Sequence, residues 1–380
     1  MTPARELRIC FRADASVSIG SGHVMRCLTL ASALRERGAQ CRFICRQHPG
    51  HLISQIEAQG FPVIRLPFFA ETHGQPEKPA IFPRTAHHAW LGNSPELDAE
   101  ECAHHLAASP VDWLIVDHYA LEAAWETALQ PYSRQIMVID DLADRAHQCA
   151  VLLDQNLGRT TTTYQALLPA TCRTLTGPQY ALLRPEFAAW RAASLARREQ
   201  ACISHDHPLQ LLINLGGVDQ ANDSERILAT LTPEMLPSNT HITVILGPSA
   251  PHRNAVEQRS QGLHWPCTVI VAANNMGELL SRADLAIGAA GSSTWERCCL
   301  GLPTLLLILA DNQRGIAAAL ATHTGLASAG EDLATSLRHF FQQLCSAEER
   351  LTHSRRIAEL VDGQGCRRVA DLLIATGEPA

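Results

Sequence analysis

Short apolar runs alternate along this chain with longer stretches whose apolar groups recur at helical spacing, and the alternation starts afresh near residue 209. In the first half, residues 7–11, 41–45, 62–66, 113–116, 136–139 and 151–153 read as buried strands. In the second half, residues 209–215, 243–246, 268–271, 284–287 and 304–309 read the same way. Helical patterns follow most of these runs, so the expected architecture is α/β, with parallel strands joined by right-handed crossovers. A chain of 380 residues holds two such sheets rather than one. The predicted division is 1–203 and 204–380, with a linker near 201–208 and an exposed, proline-rich insertion at 67–95. The second domain is expected to end in a helical tail, whose last helix has the option of returning to the first domain.

In open α/β sheets, ligands gather beyond the carboxyl ends of the strands. The first strand runs into Arg12-Ala13-Asp14, then Gly20-Ser21-Gly22-His23, with His23 at the start of a helix. Two further strands end at Asp117-His118-Tyr119 and at Asp140-Asp141. Taken alone, a glycine pair makes a tight turn, and Asp117 and Asp140 are as well explained as helix caps. In the second half, Gly216-Gly217 and the loop from Gly288 through Gly291, Ser292 and Ser293 to Thr294 follow strands. Small residues let backbone amides approach a ligand, and a helix start favours anions, so a pyrophosphate fits without a lysine. Neither a P-loop nor a dinucleotide fingerprint is present. Glu296, in the first turn of the following helix, is placed to accept hydrogen bonds from ribose hydroxyls; its plain alternative is a favourable helix-start carboxylate.

Composition narrows the partners. The 31 Lys and Arg against 38 Asp and Glu leave a net charge of −7, which argues against nucleic acid. No apolar run approaches the roughly 18 residues of a membrane span, and the N-terminus lacks the apolar core of a secretory signal, so a cytoplasmic protein without membrane contact is expected. The 13 cysteines are scattered and suit reduced core thiols, and no zinc-ribbon spacing occurs, so neither metal nor cofactor is expected. The pair His87-His88 reads as a solvated cluster.

Phe11-Arg12-Ala13-Asp14 with Ile19-Gly-Ser-Gly-His23, Val116-Asp-His-Tyr119, Ile139-Asp-Asp141, Gly177 to Arg184, Gly216-Gly217, Gly288 to Cys298 and Ala310-Asp-Asn-Gln313 occur in order. In these motifs the chain resembles the UDP-2,4-diacetamido-2,4,6-trideoxy-β-L-altropyranose hydrolases of pseudaminic acid synthesis. The resemblance implies a GT-B architecture, two Rossmann-type doubly wound domains facing across a cleft. It implies that water displaces UDP from the anomeric carbon with inversion. His23 is then the base, Tyr119 and Asn312 are active-site groups, and Asp14 is a candidate for orienting His23 or a sugar hydroxyl. Arg12, Gly20, Gly22, His118, Gly216, Gly217, Gly288, Gly291, Ser292, Ser293, Thr294, Glu296 and Gln313 become substrate-binding candidates. The insertion at 67–95 and the tail beyond 325 carry none of the resemblance. A GT-B glycosyltransferase, a UDP-sugar 2-epimerase that also hydrolyses, and a noncatalytic nucleotide-sugar binding module are the competing readings.

Overall fold

The computed structural model describes residues 6–68, 82–203, 207–326 and 328–377. They fall into two compact units, 1–182 with 365–380, and 183–364. In the first, β1 (Arg8–Ala13), β2 (Gln40–Arg46), β3 (Val63–Leu66), β4 (Val111–Asp117), β5 (Ser133–Ile139), β6 (Val151–Asp154) and β7 (Arg173–Thr176) form one sheet of order β3-β2-β1-β4-β5-β6-β7. Every pairing in it is parallel. Helices α1 (Gly22–Arg35), α2 (Ile53–Ala58), α3 (Pro95–Ala107) and α4 (Ala123–Leu129) complete the crossovers. Both faces are covered, which is why the strands read as continuous apolar runs instead of alternating. Ile9, Phe11, Phe43 and Trp113 enter one buried cluster with Leu28 and Leu30 of α1. Cys10, Ile44, Leu114 and Val116 point the other way, into a second cluster with Trp125 of α4.

The second unit begins with α5 (Pro185–Ala201) and holds a five-stranded parallel sheet, ordered β10-β9-β8-β11-β12, built from β8 (Gln210–Asn214), β9 (His241–Leu246), β10 (Cys267–Val271), β11 (Leu285–Ala289) and β12 (Thr304–Leu307). Its other helices are α6 (Asp223–Thr230), α7 (Arg253–Gln261), α8 (Met276–Arg282), α9 (Ser293–Cys299), α10 (Arg314–Thr324), α11 (Leu333–Gln343) and α12 (Ala347–Ala358). The sequence reading set a boundary after residue 203, whereas the units divide after Leu182. The reason is α5, whose Ser194 Oγ donates to the Leu300 carbonyl at 2.8 Å and whose Arg198 donates to the Ala283 carbonyl at 2.8 Å. The last helix, α13 (Gly365–Gly377), belongs to the first unit and buries Cys366, Val369, Ala370 and Leu373 in the α1 cluster. The indole of Trp113 donates to its Leu373 carbonyl at 3.1 Å.

Strand order locates the places where a ligand can enter. In the first sheet the chain proceeds outward from β1 to β2 and β3, then resumes on the other side at β4, so the crevice between the ends of β1 and β4 is a topological switch point. In the second sheet the same reversal lies between β8 and β11. Among the described residues, no helix is long and apolar enough to cross a membrane.

Candidate functional site

The loops at the first switch point bring His23 and Asp117 together. Asp117 ends β4, His23 sits in the first turn of α1, and Nδ1 of the imidazole lies 2.6 Å from Asp117 Oδ1. Gly20 makes the approach to α1 possible, with a φ of +80° and open space where a side chain would be. Arg26, one turn further along α1, donates from Nε to Asp117 Oδ2 at 2.6 Å and from Nη2 to Oδ1 at 2.7 Å. Burial alone would raise the pKa of Asp117, but Arg26 and His23 more than reverse this and hold the carboxyl far below its usual range. An ionised carboxylate only accepts hydrogen bonds, so His23 Nδ1 carries a proton, and in the neutral ring Nε2 is the nitrogen that presents a lone pair. Nε2 has no protein partner among the described residues, and the ring keeps 8% of its surface open. Asp117 is therefore the orienting acid, not the helix cap that its place in the sequence also allowed.

Arg26 also reaches Asp141, donating from Nη1 to Oδ2 at 2.7 Å, and the Tyr119 hydroxyl donates to the same oxygen at 2.7 Å. Asn156 donates to the other oxygen at 3.3 Å. The Tyr119 phenol is buried, and burial together with Asp141 pushes its pKa well up, so it stays neutral with its proton committed. Its ring meets the His23 ring edge-on at 4.6 Å between centroids. On the outside Tyr119 is covered by Trp90, stacked at 5.7 Å, and by His87 at 5.3 Å, with His87 and Trp90 4.7 Å apart. Half-buried, with Nδ1 sealed and unpartnered, His87 is not the solvated residue expected. The part of the insertion that is described thus reaches the site; residues 69–81 lie outside the described residues.

Three candidates are used elsewhere. Arg12 is fully buried, bonded to Asp98 of α3 through Nε at 3.2 Å and Nη2 at 2.7 Å, and paired with Asp14 at 2.7 Å. Asp14 also accepts the Arg46 backbone amide at 2.7 Å, and His118 Nε2 lies 3.4 Å from it. This buried network fastens β1, β2, α3 and the β4 loop to one another. Among the described residues Asp14 accordingly forms no hydrogen bond or ion pair with His23, and both Arg12 and His118 are buried in the network.

At the second unit's switch point, Gly216 follows β8 with a φ of +101°, and the Gly288–Thr294 stretch runs from β11 into α9. Gly291 and Ser293 are half-buried and Ser292 is exposed. Thr294 faces inward instead, its Oγ1 donating to the Ala289 carbonyl at 3.3 Å. Glu296 is partly buried, and burial pushes its pKa up to about 7 against the pull of Arg184 and Arg297. Gln313 closes the neighbouring turn by accepting the Leu309 amide at 2.9 Å, while Asn312 beside it is exposed. Arg26, Trp90 and Arg297 escape a reading of the sequence, which places Asp141 at a strand end but gives it no role. The available signal for Arg26 is its position three residues after His23, on the same helical face. Among the described residues, no cluster of three or more histidine, cysteine or acidic side chains is arranged to hold a metal.

Comparison with known proteins agrees with this architecture. Residues 212–358 match the glycosyltransferase family 28 C-terminal domain. The chain is 23% identical over 315 residues to the UDP-2,4-diacetamido-2,4,6-trideoxy-beta-L-altropyranose hydrolase of Campylobacter jejuni, covering 83% of this chain and 96% of that protein. It is 33% identical over 97 residues, 25% of this chain and 28% of the other, to the N-acetylglucosaminyl transferase of Helicobacter pylori that acts on N-acetylmuramyl-(pentapeptide) pyrophosphoryl-undecaprenol. Among solved structures, MurG of Acinetobacter baumannii superposes with a TM-score of 0.68 at 18% identity, covering 98% of this chain and 100% of that one. The fold is GT-B.

Proposed function

We propose that this chain hydrolyses a UDP-linked 2,4-diacetamido-2,4,6-trideoxyhexose to UDP and the free sugar. Nε2 of His23 takes a proton from water as its oxygen bonds to the anomeric carbon. The bond from that carbon to the diphosphate breaks with its electron pair leaving on UDP, and the anomeric centre inverts. The observation that carries this reading is the 2.6 Å His23–Asp117 pair at the first unit's switch point, with Nε2 unpartnered among the described residues. A histidine so held has the geometry of a general base. UDP departs as a stabilised anion, held by Gly216, Gly217 and the Gly288–Ser293 amides, with Glu296 on the ribose and Asn312 and Gln313 beside the leaving group. The Campylobacter jejuni relative, named for this reaction, aligns over 83% of the chain and supports the choice of sugar.

The decisive assay is UDP release in ¹⁸O-labelled water. Attack at carbon places the label in the sugar and leaves UDP unlabelled; label in the phosphate would overturn the mechanism. Glycosyl transfer is the second reading, favoured by the family 28 match over 212–358. It requires UDP release to depend on an added acceptor, whereas hydrolysis proceeds without one.

A further inference from the structure

We infer that Arg297, sealed beneath the Gly288–Thr294 loop of the second unit, is the counter-charge for a diphosphate bound on that loop. The inference rests on the nucleotide reading above and adds to it the source of positive charge. Arg297 is 2% exposed. It makes no ion pair among the described residues, and its hydrogen bonds run to neutral groups: Nη2 to the Ala289 carbonyl at 2.6 Å and to Thr294 Oγ1 at 3.1 Å, Nη1 to Ser293 Oγ at 3.1 Å. Its Nε is buried without a partner among the described residues. A buried guanidinium with no carboxylate in ion-pair contact is costly, and Glu296 next to Arg297 acts on it without forming such a pair. The buried Arg12, Arg26 and Arg46 each have a carboxylate partner, and Arg198 of α5, which has none, has all three of its nitrogens hydrogen-bonded to neutral oxygens.

The loop is built around this cation. A Cβ on Gly288 would lie 2.7 Å from the guanidinium carbon, so only glycine lets the charge sit directly under the strand end. Helix α9 has only seven residues, and a helix N-terminus offers roughly half a positive charge against the two or more negative charges of a diphosphate. Arg297 supplies it from behind the loop, leaving the loop's open face to the ligand. Burial lowers the Arg297 pKa to about 10, so it remains charged at neutral pH.

Titration calorimetry with UDP, inorganic pyrophosphate and uridine on the full-length protein tests this. Arg297→Met weakens UDP and pyrophosphate by about tenfold to a hundredfold and leaves uridine within about twofold, as expected for loss of one charge near a phosphate. Arg297→Lys keeps the charge but not the fork, and retains affinity for UDP within about threefold. Should the methionine variant fail to fold, Arg297→Gln keeps a donor for Ala289 without the charge and gives the same reading. If the lysine variant binds as poorly as the methionine variant, Arg297 only braces the loop and the counter-charge is refuted. Wild-type affinity for UDP in a folded Arg297→Met protein refutes it too, with the nucleotide reading intact. Pyrophosphate binding by the wild type without UDP binding leaves the anion site standing and removes the nucleotide; binding of neither removes both.

Discussion

At His23 the outcome depends on which ring nitrogen holds the proton. Asp117, kept ionised by Arg26, accepts from Nδ1 and leaves Nε2 as the proposed base. Asp117→Asn reverses this: an amide donor opposite Nδ1 favours the other tautomer, and kcat is expected to fall by about 10³–10⁴-fold with the fold retained. Steady-state kinetics well below the unfolding temperature checks it, and a loss under tenfold would remove Asp117 from the mechanism. Glu296 gives a second prediction. Its folded pKa is raised from 4.5 to about 7, so the folded state binds more protons than the unfolded state between those values. Stability of the second unit therefore falls as pH rises from about 4.5 to about 7, then levels. Asp154, raised from 3.8 to about 7 by burial and Asp141, has the same sign in the first unit. Urea unfolding of Glu296→Gln is expected to show a flatter pH dependence over this window; an unchanged slope would show that the carboxyl is not strained by its surroundings.

The elements were largely legible because both sheets are parallel and covered on both faces, so their strands stand out as apolar runs. The exceptions have physical causes. Strand β7 is an edge strand in which only Leu175 is buried, and α7 buries only Val256, so neither shows a strong period. The candidate site was legible where side chains follow a strand end or open a helix, as with Tyr119 and His23, and illegible where it depends on tertiary contact. Arg26 lies in a helix and pairs with Asp117 and Asp141 at two strand ends, Arg297 lies in a helix and bonds back to the loop before it, and Trp90 arrives from a segment whose prolines erase any period. The stacking of Trp90 on Tyr119 is expected to contribute a coupling of about 0.5–1.5 kcal/mol in a double-mutant cycle of unfolding with Trp90→Ala and Tyr119→Ala. A coupling near zero would mean that the insertion merely lies over the site without supporting it.

In the whole molecule, the second unit is inserted between β7 of the first unit and that unit's last helix, α13. The chain therefore has to traverse 183–364 before the first unit can be closed. Helix α13 packs on α1, the helix that carries His23 and Arg26: Cys366 Sγ lies 3.6 Å from the Thr29 carbonyl, and Arg37 Nε donates to Asp371 at 2.7 Å. Emptying a fully buried site such as Val369 or Leu373 costs up to about 5 kcal/mol for the larger side chains, a large part of the roughly 5–15 kcal/mol that stabilises a domain. Truncation after Gln364 is accordingly expected to abolish the calorimetric transition of the first unit and all hydrolysis, while the transition of the second unit and its binding of UDP persist. A truncated protein that still hydrolyses substrate would show that α13 is dispensable to α1 and to the base it carries. Loss of both transitions would show instead that the second unit cannot fold without the first.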